Sequence, residues 1–343
     1  MQMALPFQTQ RALPFQTQRA LPFQTRTQPS SSLGGETPCS SLGGETHPLA
    51  PPHPRDALIE FDAGPHKYTC AGEADYMSVT TWNHSHFKAF DADTIITKMM
   101  SNKTTWPKSP YYGQTREEIK AGWEKNRDEA AQAGTEMHYA IECYYGGVAS
   151  APHALTPQSG EVSPSVDTPA PEWGVRACGV EACPPQFLSF VAANPTLKPY
   201  RTEWMIFDED VRLAGSIDMV YENETDGTLM IYDWKRCKEI TKFSNFKDAA
   251  YAVTECISHL PDTNFWHYAL QLNTYKTILE AKYDKKVSRM CLVVLHPNFP
   301  TYQVHTVPDL ADEMTALMAL RKAQLMALRK SHLKNHLQKP LAS

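Results

Sequence analysis

The pattern of apolar and polar positions predicts a β-hairpin in the second half of the chain. Residues 211–221 and 228–234 are two apolar-rich runs, and the six residues between them are Glu, Asn, Glu, Thr, Asp and Gly. Asn, Asp and Gly tolerate the left-handed backbone that a tight hairpin needs. In residues 289–295 an unbroken apolar run follows Arg289, which is typical of a strand buried on both faces of a sheet. Residues 302–307 alternate, as expected of a strand nearer an edge.

The remaining elements complete a mixed α/β arrangement. Residues 202–208 predict a strand that leads into the hairpin as an antiparallel meander, and residues 66–70 and 78–81 predict a small hairpin around Gly72. Helices are predicted over residues 91–100, 115–126, 127–145, 186–191, 264–283 and 309–333. We therefore expect a central mixed β-sheet, an antiparallel meander plus a parallel strand, flanked by helices.

Tandem repeats and biased composition set the expected boundaries of the folded part. Residues 4–27 repeat an octapeptide, and residues 31–47 repeat Ser-Ser-Leu-Gly-Gly-Glu-Thr. Repeats with Pro or Gly in every unit cannot bury a core, so we predict a disordered tail over residues 1–55. One domain is then expected over residues 56–332, with a disordered Pro- and Ser-rich insertion at about 148–173 and a C-terminal tail over 333–343.

The first 35 residues leave the compartment open. They contain Arg11, Arg19 and Arg26 and no Asp or Glu, which is compatible with an organelle presequence. A proline in each repeat disfavours the amphipathic helix that such a signal needs. We expect an intracellular protein, and the sequence does not decide between the nucleus or cytoplasm and the mitochondrion.

Composition and charge exclude some classes of protein. Hydrophobic residues make up 42% of the chain, which is enough for a core, and the net charge of −5 argues against a surface that is positive throughout. The eight cysteines show no pairing framework, so a reducing environment is expected. No apolar run approaches the length of a membrane span, and we expect no association with membranes.

The candidate chemistry lies on the predicted hairpin. Asp218 is on its first strand, and Asp233 and Lys235 close its second. Residues two apart in a strand point to the same face, so Asp233 and Lys235 should project together and leave the Trp234 carbonyl free. Two carboxylates and a carbonyl oxygen suit Mg²⁺ or Mn²⁺. A lysine beside the metal can assist the attacking water or stabilise charge on a phosphate.

These residues carry a family resemblance. Asp218, fourteen further residues and then Asp233-x-Lys235 resemble the signature of the PD-(D/E)XK nuclease superfamily. His138 on an upstream helix and Gln271-x-x-x-Tyr275 downstream are similar to the RecB-like and lambda-type exonuclease branch. Within that branch, the chain looks most like the mitochondrial genome maintenance exonucleases and their relatives in large DNA viruses.

The resemblance implies a fold, an activity and roles for six residues. The fold is a restriction-endonuclease-like core, and the activity is metal-dependent cleavage of DNA, with single-stranded ends or flaps as the expected substrate in replication, repair or recombination. His138, Asp218 and Asp233 are the expected ligands of Mg²⁺ or Mn²⁺. Lys235, Gln271 and Tyr275 are the expected catalytic residues. Glu203 resembles the Thr-Glu of the family, and the sequence leaves open whether it contacts the metal or only ends a strand.

Two other functions stay open at this point. The protein could be a structure-selective endonuclease or an RNA-processing nuclease, because end preference depends on loops rather than on the motif. It could also be a non-catalytic nucleic-acid-binding module on a nuclease scaffold. Its protein partners are not indicated by the sequence.

Overall fold

An eight-stranded mixed sheet forms the centre of the protein, and helices cover both of its faces. The structure, a computed structural model, describes residues 49–62, 64–146, 182–243 and 250–337. The strands are β1 Ile59–Asp62, β2 Lys67–Cys70, β3 Glu73–Ser78, β4 Lys198–Asp208, β5 Leu213–Glu222, β6 Leu229–Lys235, β7 Val287–Val294 and β8 Gln303–Thr306. The helices are α1 Val79–His84, α2 Ala92–Ser101, α3 Arg116–Gly146, α4 Pro185–Ala193, α5 Asn264–Lys282 and α6 Ala311–Leu337.

The sheet has the order β1-β2-β3-β5-β6-β7-β8, and β4 pairs with β5. The pairs β3–β5 and β6–β7 are parallel, and the other pairs are antiparallel. The mixed sheet and the antiparallel meander of β4, β5 and β6 confirm the predicted fold class, a restriction-endonuclease-like α/β core. The parallel partner of β6 is the buried run of β7, reached through α5, as a parallel connection requires.

Strand β5 forks the sheet at its middle. On one side it pairs with β4 along almost its whole length. On its other side it pairs first with β3, through residues 213–214, and later with β6, through residues 219–222. Within the described residues, 215–218 have no ladder partner on that second side. The sheet is therefore open at Gly215–Asp218, between β3 and β6.

Two apolar cores lie on the two faces of the sheet. On one face, side chains of α5 and α6 such as Leu270, Leu279 and Leu317 pack on Ile231 and Leu292. On the other, α3 and α4 cover the sheet, with Phe187, Phe190 and Trp234 at the centre. Both cores remove apolar side chains from water, which favours packing of the helices on the sheet.

Helix α3 corrects one expectation from the sequence. Residues 115–126 and 127–145 were predicted as two helices, and they form one helix of 31 residues. Residues 124–130 are exposed on every side of the helix, so no apolar stripe runs through them. They contain no Gly or Pro, and a Lys125–Glu129 ion pair at 3.8 Å spans one turn, so nothing in this stretch ends the helix.

The prediction for residues 78–81 was also wrong. The sequence Ser-Val-Thr-Thr has strand propensity, but only Ser78 belongs to β3, and Val79 starts α1. The Ser78 side chain accepts a hydrogen bond from the Thr81 backbone N–H at 3.1 Å and caps the helix. The cap and the burial of Val79 and Trp82 in the core together outweigh the strand propensity of the β-branched residues.

Several predictions concern residues outside the described ranges. The repeats over 4–27 and 31–47 lie there, and so do the insertion at about 148–173 and most of the tail at 333–343. The domain boundaries therefore stay predictions. Part of the predicted N-terminal tail is described: Ala50 donates a backbone hydrogen bond to Tyr200 of β4, and Arg55 ion-pairs with Glu209 at 2.6 Å. None of the described helices combines the length and apolar character that crossing a bilayer requires.

Candidate active site

Five ionisable side chains meet where the sheet forks, and we call them the charged cluster. Each side chain is at most 11% exposed. They come from α3, β4, β5 and β6, and they are His138, Glu203, Asp218, Asp233 and Lys235. Burial of this many charges is costly and is found chiefly where chemistry requires it.

Strand β6 supplies a carboxylate, an ammonium group and a backbone edge. Asp233 and Lys235 share one face and form an ion pair, and the Lys235 ammonium lies 4.6 Å from the centroid of the Tyr268 ring on α5. The side chain of Trp234 points to the other face, between Phe187 and Phe190. Its large apolar ring fixes the strand, so that its backbone N–H and carbonyl face the cluster.

Strand β5 turns Asp218 toward that backbone edge. The Trp234 N–H donates a hydrogen bond to Asp218 Oδ2 at 2.9 Å. Ile217 packs in the α5-side core, whereas Met219, two residues later, packs in the α3-side core. Residues two apart in a regular strand share a face. The change of face around Asp218 is therefore a local distortion of β5, next to the open part of the sheet.

Glu203 faces the same point from β4 with an unusual backbone. Its φ is +44°, in the left-handed region that residues other than glycine seldom adopt. Its carboxylate accepts a hydrogen bond from the Ser216 hydroxyl at 3.1 Å. Backbone strain of this kind costs of order 1–3 kcal/mol and is found at functional sites. The strained position favours a role for Glu203 beyond strand-end solvation.

Helix α3 delivers His138 to the two carboxylates. Its neighbours Met137 and Ile141 are buried in the α3-side core and fix the helix on the sheet. His138 Nε2 lies 3.0 Å from the Trp234 carbonyl oxygen. Nδ1 lies 3.6 Å from a carboxylate oxygen of Glu203 and of Asp218, which is too far for a hydrogen bond. This buried nitrogen has no hydrogen-bond partner in the described structure.

The pKa shifts show how strongly these groups interact. Burial raises the pKa of Asp233 to about 6, the charge on Asp218 adds to the rise, and Lys235 opposes it. Burial also raises the pKa of Asp218, against the opposing charges of His138 and Lys235. Burial alone would lower the pKa of His138, but Asp218 and Glu203 outweigh it and raise the pKa to about 9. Burial likewise opposes the charge on Lys235, and Asp233 and Asp218 outweigh it and raise that pKa.

The donor atoms fit a hard divalent cation. One ligand atom each from His138, Glu203 and Asp218 lies within 4.8 Å of the others. Carboxylate oxygens suit Mg²⁺ or Mn²⁺. A His138 that binds a metal must be neutral, so three carboxylates and the Lys235 ammonium leave a net charge of −2, which a divalent cation would neutralise. The unpartnered Nδ1 of His138 is a second sign that the arrangement is made for a ligand.

Two of the three predicted ligands therefore belong to this group, and the third lies beside it. Asp233 is near enough to Asp218 for their charges to interact, but its carboxylate pairs with Lys235. Glu203 occupies the third position of the group instead. The spacing of Asp233-x-Lys235 predicts that the two side chains project together. It does not predict whether the Asp233 carboxylate pairs with Lys235 or joins His138 and Asp218 as a ligand, because that depends on the folded arrangement.

The predicted pair on α5 lies against the open part of β5. Gln271 Nε2 donates a hydrogen bond to the Tyr275 hydroxyl at 3.0 Å. The Tyr275 ring rests on Gly215, where an added Cβ would lie 2.8 Å from its Cε1 atom. Position 215 must be glycine for the ring to approach so closely. The charges of Asp218 and Asp233 also act on Tyr275, so the pair borders the charged cluster.

Comparisons with known proteins agree with this geometry at the level of the family. Residues 110–338, about two thirds of the chain, match the family described as the PD-(D/E)XK nuclease superfamily. No curated protein matches the chain. A solved structure described as "Crystal structure of SSO0001" is similar, with 16% identity and a TM-score of 0.22. The match covers 41% of this chain and 57% of that one, so the chain spans little more than half of its length.

The family match includes α3, the meander, α5 and β7, and therefore every member of the charged cluster. The Asp218…Asp233-x-Lys235 signature and the mixed sheet that holds it stand inside the matched range. The chain belongs to the PD-(D/E)XK nuclease superfamily.

Proposed function

We propose that the protein is a metal-dependent deoxyribonuclease that acts on single-stranded DNA, at ends or flaps, in replication, repair or recombination. The observation that carries this proposal is the charged cluster: three carboxyl groups that are at most 10% exposed, an imidazole and an ammonium group converge at a fork in the sheet. A binding module would have little reason to keep three acids buried near a polyanion, because they repel its phosphates.

The roles follow from where each group lies. His138, Glu203 and Asp218 would hold the cation, with Asp233 and the Trp234 carbonyl beside them. When bound, Mg²⁺ or Mn²⁺ supplies a more acidic water and neutralises charge on the scissile phosphate. Lys235 keeps its proton near neutral pH, because Asp233 and Asp218 raise its pKa, and so acts as a positive charge rather than as a base.

Gln271 and Tyr275 have a positioning role in this proposal. Their mutual hydrogen bond fixes both polar ends at the open part of β5. The Tyr275 ring is buried against Gly215 and therefore has little freedom to move. A strand lying across the fork would contact the half-buried Gln271 side chain, which the buried Tyr275 hydroxyl holds in place, and positioning of this kind is a large part of phosphoryl-transfer catalysis.

The proposed substrate is consistent with the surface at the far end of α3. Tyr112 is 60% exposed, and Lys103 and Lys108 on the same loop are exposed. Aromatic and basic side chains together suit single strands, through stacking and phosphate contacts. This surface lies roughly 33 Å along the helix from His138, at 1.5 Å per residue. A strand would have to be several nucleotides long to contact both, so cleavage should depend on oligonucleotide length.

Cleavage assays on the full chain test the proposal. The substrates are 5′- and 3′-labelled single-stranded DNA, a circular single strand and an RNA of the same sequence, each with Mg²⁺, Mn²⁺ or a chelator. We expect metal-dependent loss of the linear DNA, with little cutting of the circle or of the RNA. Cutting of the circle would favour the endonuclease alternative, and cutting of RNA alone would favour the RNA-processing one.

The variant Asp233→Ala is the matched control for these assays. It should fold and should not cleave. Equal Mg²⁺-dependent cleavage by the wild type and the variant would contradict the proposed site, and no cleavage of any substrate by the wild type would favour the non-catalytic alternative.

A further inference from the structure

The residues directly after β6 form a basic segment that is fixed in place. Arg236, Lys238 and Lys242 follow the catalytic strand within seven positions. The Asn264 side chain at the start of α5 accepts a hydrogen bond from the Thr241 N–H at 2.8 Å. The same side chain donates to the Glu239 carbonyl at 2.7 Å. The path of this segment is therefore set by the first turn of α5.

The basic side chains of this segment form no ion pairs with acids among the described residues. Lys238 and Lys242 are exposed and Arg236 is half-buried, and none of the three is paired with an acid in the described part of the chain. Lys242 Nζ lies 4.5 Å from the centroid of the Phe265 ring, a cation–π contact that positions the ammonium group without neutralising it. Glu239 is the one acidic residue between positions 236 and 242, so three basic residues and one acid leave this segment with a net positive charge.

The segment lies beside the charged cluster and extends away from it. The Lys235 carbonyl accepts a hydrogen bond from the Leu295 N–H at 2.8 Å, so Arg236 lies next to the end of β7. Burial lowers the pKa of His296, and the charges of Arg236 and Lys238 lower it further. Burial lowers the pKa of His305 on β8, with Lys242 adding to the effect. The positive field thus extends from β6 across the ends of β7 and β8.

Helix α5 strengthens this field. It begins at Asn264, which holds the basic segment, so its N-terminal end faces the same region. The N-cap residue Thr263 makes no side-chain hydrogen bond to the first turn. The first N–H groups of a 19-residue helix carry a partial positive charge and attract anions.

We propose that Arg236, Lys238 and Lys242 form a phosphate-binding track that holds the backbone of the substrate strand where it leaves the charged cluster. The track rests on the proposed function, because the anion that continues away from a phosphodiester-cleaving centre is the substrate's own backbone. It contacts phosphates rather than bases, so it acts on any sequence and its contribution weakens with salt.

Binding of single-stranded DNA at several salt concentrations tests the track. The probe is a fluorescein-labelled oligothymidylate of about 20 nucleotides, followed by anisotropy with a chelator present so that no cleavage occurs. Each phosphate contact in a single strand contributes about 0.7 to the slope of log K against log salt. We therefore expect Lys238→Ala/Lys242→Ala to reduce the slope by about 1.4 and to weaken binding at least tenfold at low salt. Adding Arg236→Ala should reduce the slope by about 0.7 more.

The matched control is Lys285→Ala/Lys286→Ala, at the opposite end of β7. This pair also removes two lysines, and the Lys286 carbonyl, which accepts a hydrogen bond from the Leu229 N–H at 2.8 Å, is retained. The control should bind with the wild-type slope. Circular dichroism melts of all variants establish that the folds are intact, as expected for side chains that are exposed or half-buried.

The outcomes separate the track from the proposed function. A wild-type slope in Lys238→Ala/Lys242→Ala, or an equal loss in the control pair, overturns the track while leaving cleavage by the wild type intact. Absence of salt-dependent binding by the wild type also overturns the track. Loss of metal-dependent cleavage is a separate result, because the binding experiment contains no metal.

Discussion

Two groups of buried polar side chains behave in opposite ways in this protein. In the middle of α5, Asn273 is 1% exposed and makes all the hydrogen bonds that it can use there. Its amide donates to the carbonyls of Ala269 at 2.8 Å and Pro308 at 3.0 Å, and its oxygen accepts from the Leu310 N–H at 2.8 Å. The group is neutral and satisfied, and it ties the loop before α6 to α5.

The charged cluster is buried to a similar extent but is not satisfied. His138 Nδ1 has no hydrogen bond among the described residues, Glu203 has a strained backbone, and burial raises the pKa of Asp218 and Asp233. A satisfied neutral group stabilises the fold, whereas crowded buried charges that their neighbours satisfy only in part cost stability. The difference teaches that burial alone does not distinguish a structural polar residue from a functional one in this fold. What distinguishes them is whether hydrogen-bond partners satisfy the buried group.

The largest expected effect comes from Asp233→Asn. Removal of the carboxylate should reduce the single-turnover cleavage rate by about a thousandfold or more, because positioning and charge neutralisation supply most of the catalysis. The folded-state pKa of Asp233, about 6, lies above its unfolded value. Its protonated form stabilises the fold at low pH, and that stabilisation is lost as the pH rises through 6.

At pH 8 the Asp233 carboxylate therefore destabilises the fold, and Asp233→Asn should raise the free energy of unfolding by about 1 kcal/mol or more. Urea unfolding at pH 8 measures this. Lower stability of the variant at pH 8 would mean that the ion pair with Lys235 outweighs the cost of burying the carboxylate, and it would contradict this prediction.

The next effect is the opposite one, in Asn273→Ala. This change leaves the Leu310 N–H and two carbonyls without their partner and creates a small cavity, at a cost of about 2 to 3 kcal/mol. Activity per folded molecule should stay at the wild-type value, measured by cleavage at a temperature where both proteins are folded. A loss of activity greater than the loss of folded protein would remove the distinction between the two regions.

Tyr275 lies between the two regions, because its ring packs in the core and its hydroxyl borders the cluster. In Tyr275→Phe the ring keeps its contact with Gly215, but Gln271 loses the partner of its amide at 3.0 Å. We expect cleavage to fall about tenfold, with a stability change within about 1 kcal/mol. Equal cleavage by both proteins would place Tyr275 with the structural residues.

The smallest expected effect on cleavage is at His86, which is buried but does not belong to the charged cluster. There we expect a pH dependence of stability instead. Burial, with the charge of Arg321, lowers its pKa to about 4, below the unfolded value of 6.5. The unfolded chain therefore takes up the proton first, and the stabilisation present above pH 6.5 is lost as the pH falls toward 4.

The matched variant is His86→Asn, which can keep a hydrogen bond to the Thr254 hydroxyl, now 2.9 Å from Nδ1, and does not titrate. Between pH 7 and pH 5 the free energy of unfolding of the variant should gain about 2 kcal/mol relative to the wild type. Urea unfolding of both proteins at the two pH values measures the difference. An equal change in the free energy of unfolding of both proteins would contradict the lowered pKa of His86.

Much of the fold could be predicted because local pattern and packing agree. The β5–β6 hairpin, α5 and the buried strand β7 lie within a few residues of their predicted positions. Residue 79 shows the limit: β-branched residues predicted a strand, but the Ser78 cap and the burial of Val79 produced a helix. In α3 the exposed stretch 124–130 has no apolar stripe, and its continuity depends on packing at both ends.

The candidate site was predictable as residue types but not as an arrangement. The two-residue spacing predicts that Asp233 and Lys235 share a face, and they do. No spacing predicts the positive φ of Glu203 or the change of face around Asp218, because both depend on pairing between β4 and β5. The sequence could therefore nominate Glu203, by its resemblance to the family, but could not decide between a metal contact and a strand end. The roles of all these residues, like the RecB-like branch, stay predictions.

The central claim is that buried carboxylates at the fork of the sheet hold a divalent cation. Calorimetric titration of the full chain with Mn²⁺ tests it directly, with Asp218→Asn as the variant and Asn273→Ala as the control. We expect saturable binding by the wild type and the control, and affinity reduced by about 100-fold or more in Asp218→Asn, because the variant loses a charged ligand. Equal Mn²⁺ affinity in the wild type and Asp218→Asn would contradict the claim.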